Sequence, residues 1–178
     1  QLDRFEAGLR FPPDHIDGHQ HIHVLPGVRR ALLDTVARRY LKNRPLIRDP
    51  SDRPAAMARR RIAAAKAAVV GALALGFAGA ARRRGIPTNE GFSGFSSFDV
   101  KEPYADELHK ALVEPGPRHV VMCHPGHPDA ELASLDPVVE RRGMEYEVLL
   151  RDPTLADRIW RPSRSASGPA LDWTELRD

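Results

Sequence analysis

The feature that most constrains this chain is the run His119-Val120-Val121-Met122-Cys123 and what surrounds it. Short, apolar and β-branched, with turn residues on either side, it reads as a strand buried on both faces of a parallel sheet. A parallel strand needs a crossover to reach its neighbour, and the helical stretches on either side supply it. Phe11-Pro12-Pro13 ends a first helix over residues 1–10, and residues 14–22 then alternate as an extended segment. Val28 to Leu41 has apolar residues at 28, 32, 33, 36, 40 and 41, a helical spacing, with Pro26 near its first turn. Pro45-Leu46-Ile47-Arg48 reads as a short strand, a second helix begins near residue 54, and Gly85-Ile86-Pro87-Thr88 reads as another strand. Helices are expected at 103–113 and 138–151. Strands alternating with helices imply an α/β fold with mostly parallel strands, in which chemistry gathers at the strands' carboxyl ends.

Ile62 to Ala81 has the length of a membrane span and one charge, Lys66. It is mostly alanine and glycine, with few strongly inserting residues, so the expectation is one alanine-rich helix packed on a sheet and no transmembrane segment. Arg82–Arg84 and Gly85 suit its end. The net charge of +3 comes from scattered arginine pairs and triplets, which gives no stripe for nucleic acid. The single Cys123 excludes a disulfide framework and reads as a buried, inert thiol. With no secretion signal in the first residues, the expectation is a cytoplasmic protein.

Two clusters could do chemistry. His15, Asp17, His19, His21 and His23 occupy consecutive odd positions, so an extended segment would line them along one face. Neighbouring imidazoles of that kind can reach one metal ion, with a carboxylate orienting a ring from behind. The competing reading is a surface histidine cluster. The second cluster, Cys123-His124-Pro125-Gly126-His127, leaves the end of the best strand, where His124 is placed as a general acid or base or as a structural cap. Gly91 to Phe98 mixes aromatic rings with hydroxyls, either lining a sugar site or pinning a loop. There is no phosphate-binding glycine loop, no Gly-x-Ser-x-Gly elbow and no second cysteine for a zinc knuckle, which leaves hydrolysis at a metal.

Asp14 to His23, the following Leu25-Pro26-Gly27, Gly91-Phe92-Ser93, Met122 to Gly126 and Glu140 to Glu147 together resemble the YdjC-like carbohydrate deacetylases, also called the ChbG/HpnK family. The closest likeness is to the hopanoid-biosynthesis-associated HpnK branch. The resemblance spans residues 1–152 and implies a (β/α)-barrel-like fold. It also implies removal of acetyl groups from N-acetylated amino sugars, using a divalent metal, Mg²⁺ or Zn²⁺, held by one aspartate and two histidines. Carried over, His19 is one metal ligand and His21 a weaker candidate. His124 and Asp17 are the catalytic candidates, with Arg48, Phe92 and Ser93 at the substrate.

The family's Asp-Asp-Phe-Gly and Gly-x-His-Leu segments have no counterpart here, and 178 residues fall short of the roughly 250 typical of a (β/α)₈ barrel. The expectation is therefore the C-terminal part of a deacetylase domain over 1–161, lacking its N-terminal strands, with a flexible tail at 162–178. Such a chain should be weak in metal binding and activity by itself and inclined to self-associate. Its substrate would be an N-acetylated amino sugar or a glycosylated lipid. Another His-x-His metal hydrolase, of amidohydrolase or phosphoesterase type, and a non-catalytic binding remnant remain as alternatives.

Overall fold

The structure, a computed structural model, describes residues 1–159. The boundary at 161 and the tail expected at 162–178 lie outside them.

Among the described residues four short strands alternate with helices, as an α/β chain requires. β1 (His15–Ile16) pairs in parallel with β2 (Leu46–Ile47), and β3 (Gly91–Ser93) pairs in parallel with β4 (His119–Val121). A backbone bond and the Asn89 side chain help to join the two pairs. The Ile47 N–H donates to the Pro87 carbonyl at 3.0 Å. The Asn89 amide accepts from the Asp49 N–H at 2.7 Å and donates to the Asp49 and Gly91 carbonyls at 2.8 Å each. The strand expected at residues 85–88 is therefore a single-bond approach to β2. Closure of these strands into a barrel is not seen among the described residues.

α1 (Leu2–Leu9) buries no residue completely and is tied down by charge. Arg39 donates to Asp3 and Glu6 at 2.5 Å each, and the Tyr40 hydroxyl donates to Glu6 at 2.5 Å. α2 (Pro26–Arg39) starts on its proline and turns Leu33 and Val36 into the main core. There they meet Val24, Ile47, Phe77 and Ile86. Each such buried side chain contributes about 1.5–3 kcal/mol.

The alanine-rich stretch is not one helix. α3 (Pro54–Arg60) stops where Arg61 and Ala63 turn left-handed, α4 (Ala64–Leu73) follows, and Gly76 at φ +74° separates it from α5 (Phe77–Arg82). Glycine allows that turn without steric cost. By length and composition Ala64–Arg82 could cross a membrane. In the fold it is bent and sends Ala67, Val70, Phe77 and Ala81 into the two neighbouring cores.

α6 (Tyr104–Ala111), α7 (Ala130–Leu135), α8 (Glu140–Arg151) and α9 (Leu155–Arg158) are the remaining helices of the described residues. Tyr104, Leu108 and Leu155 form a third core, and half-buried Val121 of β4 packs against it.

Two expectations change here. β4 is only half-buried, because it has a partner on one edge alone among the described strands. Cys123, just beyond it, is exposed and faces an apolar cavity of about 490 Å³, with Leu108 and Leu149 on its wall. The chain leaves the sheet after Val121, so the apolar run is longer than the strand it makes.

Candidate active site at the carboxyl ends of the strands

Each strand delivers its following residues to the same end. Asp17 and Gly18 follow β1, Arg48 and Asp49 follow β2, Gly94 and Phe95 follow β3, and Cys123 and His124 follow β4.

The histidine ladder does not form. Strand pairing covers His15 and Ile16, and after extended Gly18 the chain winds into a 3-10 segment, His19–Val24, with Gln20 and His21 left-handed at φ +50° and +62°. The odd positions are thereby dealt to different environments. His15 is exposed beside Asp14 and His19 is exposed, while His21 and His23 are buried. Gly18 makes the winding possible: a Cβ there would collide with His23 Nδ1 and stand 2.8 Å from the His23 backbone nitrogen.

Arg48 is the hub of what does form. Buried almost completely, its guanidinium donates to the Asp17 carboxylate and, at 3.3 Å, to the Gly18 carbonyl. Its Nη1 donates to His21 Nδ1 at 2.9 Å, and its cationic plane lies 4.8 Å from the centre of the Phe92 ring. The Arg48 carbonyl accepts from His23 Nε2 at 2.7 Å. Desolvation, with the Arg48 charge next, lowers the His21 pKa to about 4, so the ring is a neutral acceptor at pH 7. Phe92 and Phe95 stack edge-on at 5.2 Å and both touch His21. Phe92 is thus the floor beneath Arg48.

Ser93 points inward. Its hydroxyl donates to the Ala111 carbonyl at 2.8 Å and meets His119 Nε2 at 2.8 Å. The Gly116 N–H donates to His119 Nδ1, so Nε2 carries the proton and Ser93 accepts from it. His119 Nδ1 also lies 3.9 Å from Asp52, which holds buried Arg60 at 2.5 Å. Serine, histidine and aspartate stand in the order of a hydrolytic triad, but the serine proton is directed at a backbone carbonyl. The group pins β3, β4 and α3 together.

His124 stands on the opposite rim. Its backbone N–H donates to the Glu145 carboxylate of α8, and its ring packs edge-on to Phe98 at 5.0 Å. The Lys66 ammonium lies 5.2 Å from the centre of that same Phe98 ring. The His124 pKa is lowered by desolvation first, then by the charges of Arg142 and Lys66, with His19 contributing in the same direction. Lys66 also depresses His21.

The metal set implied by the resemblance is not assembled. No group of three or more His, Cys, Asp or Glu side chains among the described residues could hold an ion. The Asp17 carboxylate and His21 Nδ1 are both engaged by Arg48, which leaves exposed His19 as the implied ligand outside that network.

Residues 1–159 match the family of YdjC-like proteins. The chain belongs to the YdjC-like family. A carbohydrate deacetylase of Mus musculus is 64% identical over 28 residues, 16% of this chain and 9% of the mouse protein. No solved structure matches this YdjC-like chain.

Glu145, Lys66 and Asn89 are contributors that sequence reasoning missed. Glu145 carried a signal, four residues after Arg141 on one helix face, and so did Lys66, the lone charge of the alanine stretch. Asn89 carried none.

Proposed function

We propose that this chain carries part of the active site of a carbohydrate N-deacetylase, which hydrolyses the acetamide of an N-acetylated amino sugar to acetate and free amine. The observation that bears the weight is the Arg48 hub, which gathers Asp17 and His21 from the β1 end over the Phe92 ring of β3 at the carboxyl ends of the strands. The family match and the name of the mouse relative supply the reaction class.

In this reading water adds to the acetamide carbon, the carbon–nitrogen bond breaks, and one proton must reach the departing nitrogen. His124 is the carrier. Desolvation lowers its pKa and favours the neutral ring, which can collect the proton released as water adds and pass it to the nitrogen. Arg48 holds Asp17 at the rim, where half of the carboxylate side chain remains exposed for substrate hydroxyls or for activating water. Phe92 acts beneath Arg48 and Ser93 through the packing of β3, so neither is assigned to the sugar.

A divalent metal, Mg²⁺ or Zn²⁺, belongs to the proposal as far as His19 can contribute one ligand. The described residues do not complete a site, and no step above passes through it. Membership of the hopanoid-associated branch, with a glycosylated lipid as substrate, is a narrower form of the same proposal.

The test is acetate release from a panel of N-acetylated amino sugars, with and without added Mg²⁺ or Zn²⁺, beside a phosphate ester control. Release that disappears in His124→Ala supports the reading. Hydrolysis of the phosphate ester alone would replace it with a phosphoesterase.

A further inference from the structure

We infer that Glu145 is the positioning residue of His124, holding the ring in the tautomer that leaves Nε2 free to carry the proton; this rests on the role given to His124 above. Glu145 is 1% exposed, on a helix that otherwise faces outward on much of its surface. One carboxylate oxygen accepts from the His124 backbone N–H. The other, Oε1, lies 3.9 Å from His124 Nδ1 and 4.0 Å from Arg141 Nε. All three of these atoms are buried and without a hydrogen-bond partner.

Three unpaired polar atoms in one place are a costly arrangement: each unmet group forfeits about 1–3 kcal/mol. The charges are complementary in kind, an acceptor oxygen facing two N–H groups. Closing the His124 gap by about 1 Å gives an ordinary hydrogen bond, at an N···O distance near 2.9 Å. A carboxylate can only accept when ionised, so Nδ1 must be the protonated nitrogen. Nε2 then has a free lone pair. The groups facing this pair include Arg141 and Arg142 from α8, Tyr104 and Glu107 from α6, Cys123 after β4, Lys66 from α4, Asp136 after α7, and His19 from the β1 end.

Arg141 shows that the carboxylate is held, not adrift. Its guanidinium donates to the Asp99 and Glu102 carbonyls at 3.0 and 2.6 Å and to Glu107 at 2.9 Å. These anchors on one buried arginine fix the helix face on which Glu145 sits one turn later. Backbone and ring of His124 are thus addressed by the two oxygens of one side chain.

The experiment is ¹⁵N NMR of the His124 imidazole in the whole chain, in wild type and in Glu145→Gln. The wild-type ring should be the Nδ1–H tautomer. The substituted amide keeps an acceptor for the backbone N–H but turns a donor to the ring, so the tautomer should switch to Nε2–H. A wild-type ring already in the Nε2–H form overturns the inference, even if the variant fails to fold. An unchanged tautomer in a folded variant overturns it too. Acetate release reports separately: kcat should fall about 10- to 100-fold with KM unchanged, within what general acid–base catalysis contributes. A tautomer switch in a chain with no acetate release would leave the positioning pair standing and remove the deacetylase reading.

Discussion

Arg48 and Asp17 form an ion pair whose ends lie in different surroundings: the arginine side chain is 6% exposed and the aspartate 48%. The cation's other contacts are to His21, a backbone carbonyl and the Phe92 ring, so among the described residues the aspartate is the charge that balances it. Half-exposed Asp17 is held in place by a partner that water hardly reaches.

Replacing Arg48 by alanine should therefore cost about 2–4 kcal/mol, from charge-assisted hydrogen bonds and a desolvated cation–π contact. Lysine should recover less than half, since one ammonium cannot reach carboxylate and imidazole together. The midpoint of urea unfolding reads both. A loss for alanine below about 0.5 kcal/mol, the range of an ordinary surface substitution, would mean that the hub is idle.

Glycine substitutions should divide by position. A Cβ at Gly94, where φ is +91°, would overlap the Met122 carbonyl oxygen and lie 2.6 Å from the Met122 nitrogen, and at Gly18 it would strike His23. Alanine at either position should destabilise by more than about 2 kcal/mol. At Gly8 and Gly27, both helical and with nothing within 4 Å, alanine should stabilise by about 0.5–1 kcal/mol. Thermal melts of the four variants decide it.

Acid should weaken the fold through its buried imidazoles. His21 and His119 are both held at about 4, in each case by desolvation first and a neighbouring arginine next. The unfolded rings take up protons near pH 6.5, so this stability is complete above that value and is lost as pH falls towards 4. His23 and His124 act in the same direction, while Glu145, raised by burial, works against them. Unfolding free energies at pH 7, 5.5 and 4.5 should drop by on the order of a few kcal/mol in total. In His119→Gln the slope should be shallower; an unchanged slope would remove His119 from the account.

Calorimetric titration of this chain with Zn²⁺ or Mg²⁺ should give weak binding that His19→Ala removes. No cluster among the described residues offers three ligands, and one exposed imidazole holds an ion poorly. Tight one-to-one binding would show that coordination draws on groups placed differently from those described.

The alternation of strands and helices was legible because period and punctuation are local properties. Val28–Leu41 announced its helix through apolar spacing and Pro26, and the helix expected at 103–113 forms as Tyr104–Ala111. The histidine segment misled for a reason equally physical. Alternation predicts a shared face only while the backbone stays extended, and Gly18 lets it wind as soon as Ile16 has paired. The broken alanine helix is similar, since composition sets helix propensity but Gly76 sets where the chain turns. Glu145 could be suspected as half of an Arg–Glu spacing, but its approach to His124 depends on α8 docking beside β4, which no local pattern encodes.

The Asn89 carboxamide both gives and takes at the seam between the two strand pairs. An oxygen and a nitrogen on one short stalk can satisfy the Asp49 backbone at a single offset, so the amide acts as a gauge block between halves of the molecule. Aspartate is nearly isosteric but lacks the donor, and would leave that spacing unset. How the β1–β2 pair sits against the β3–β4 pair is thus set in part by an amide outside the site.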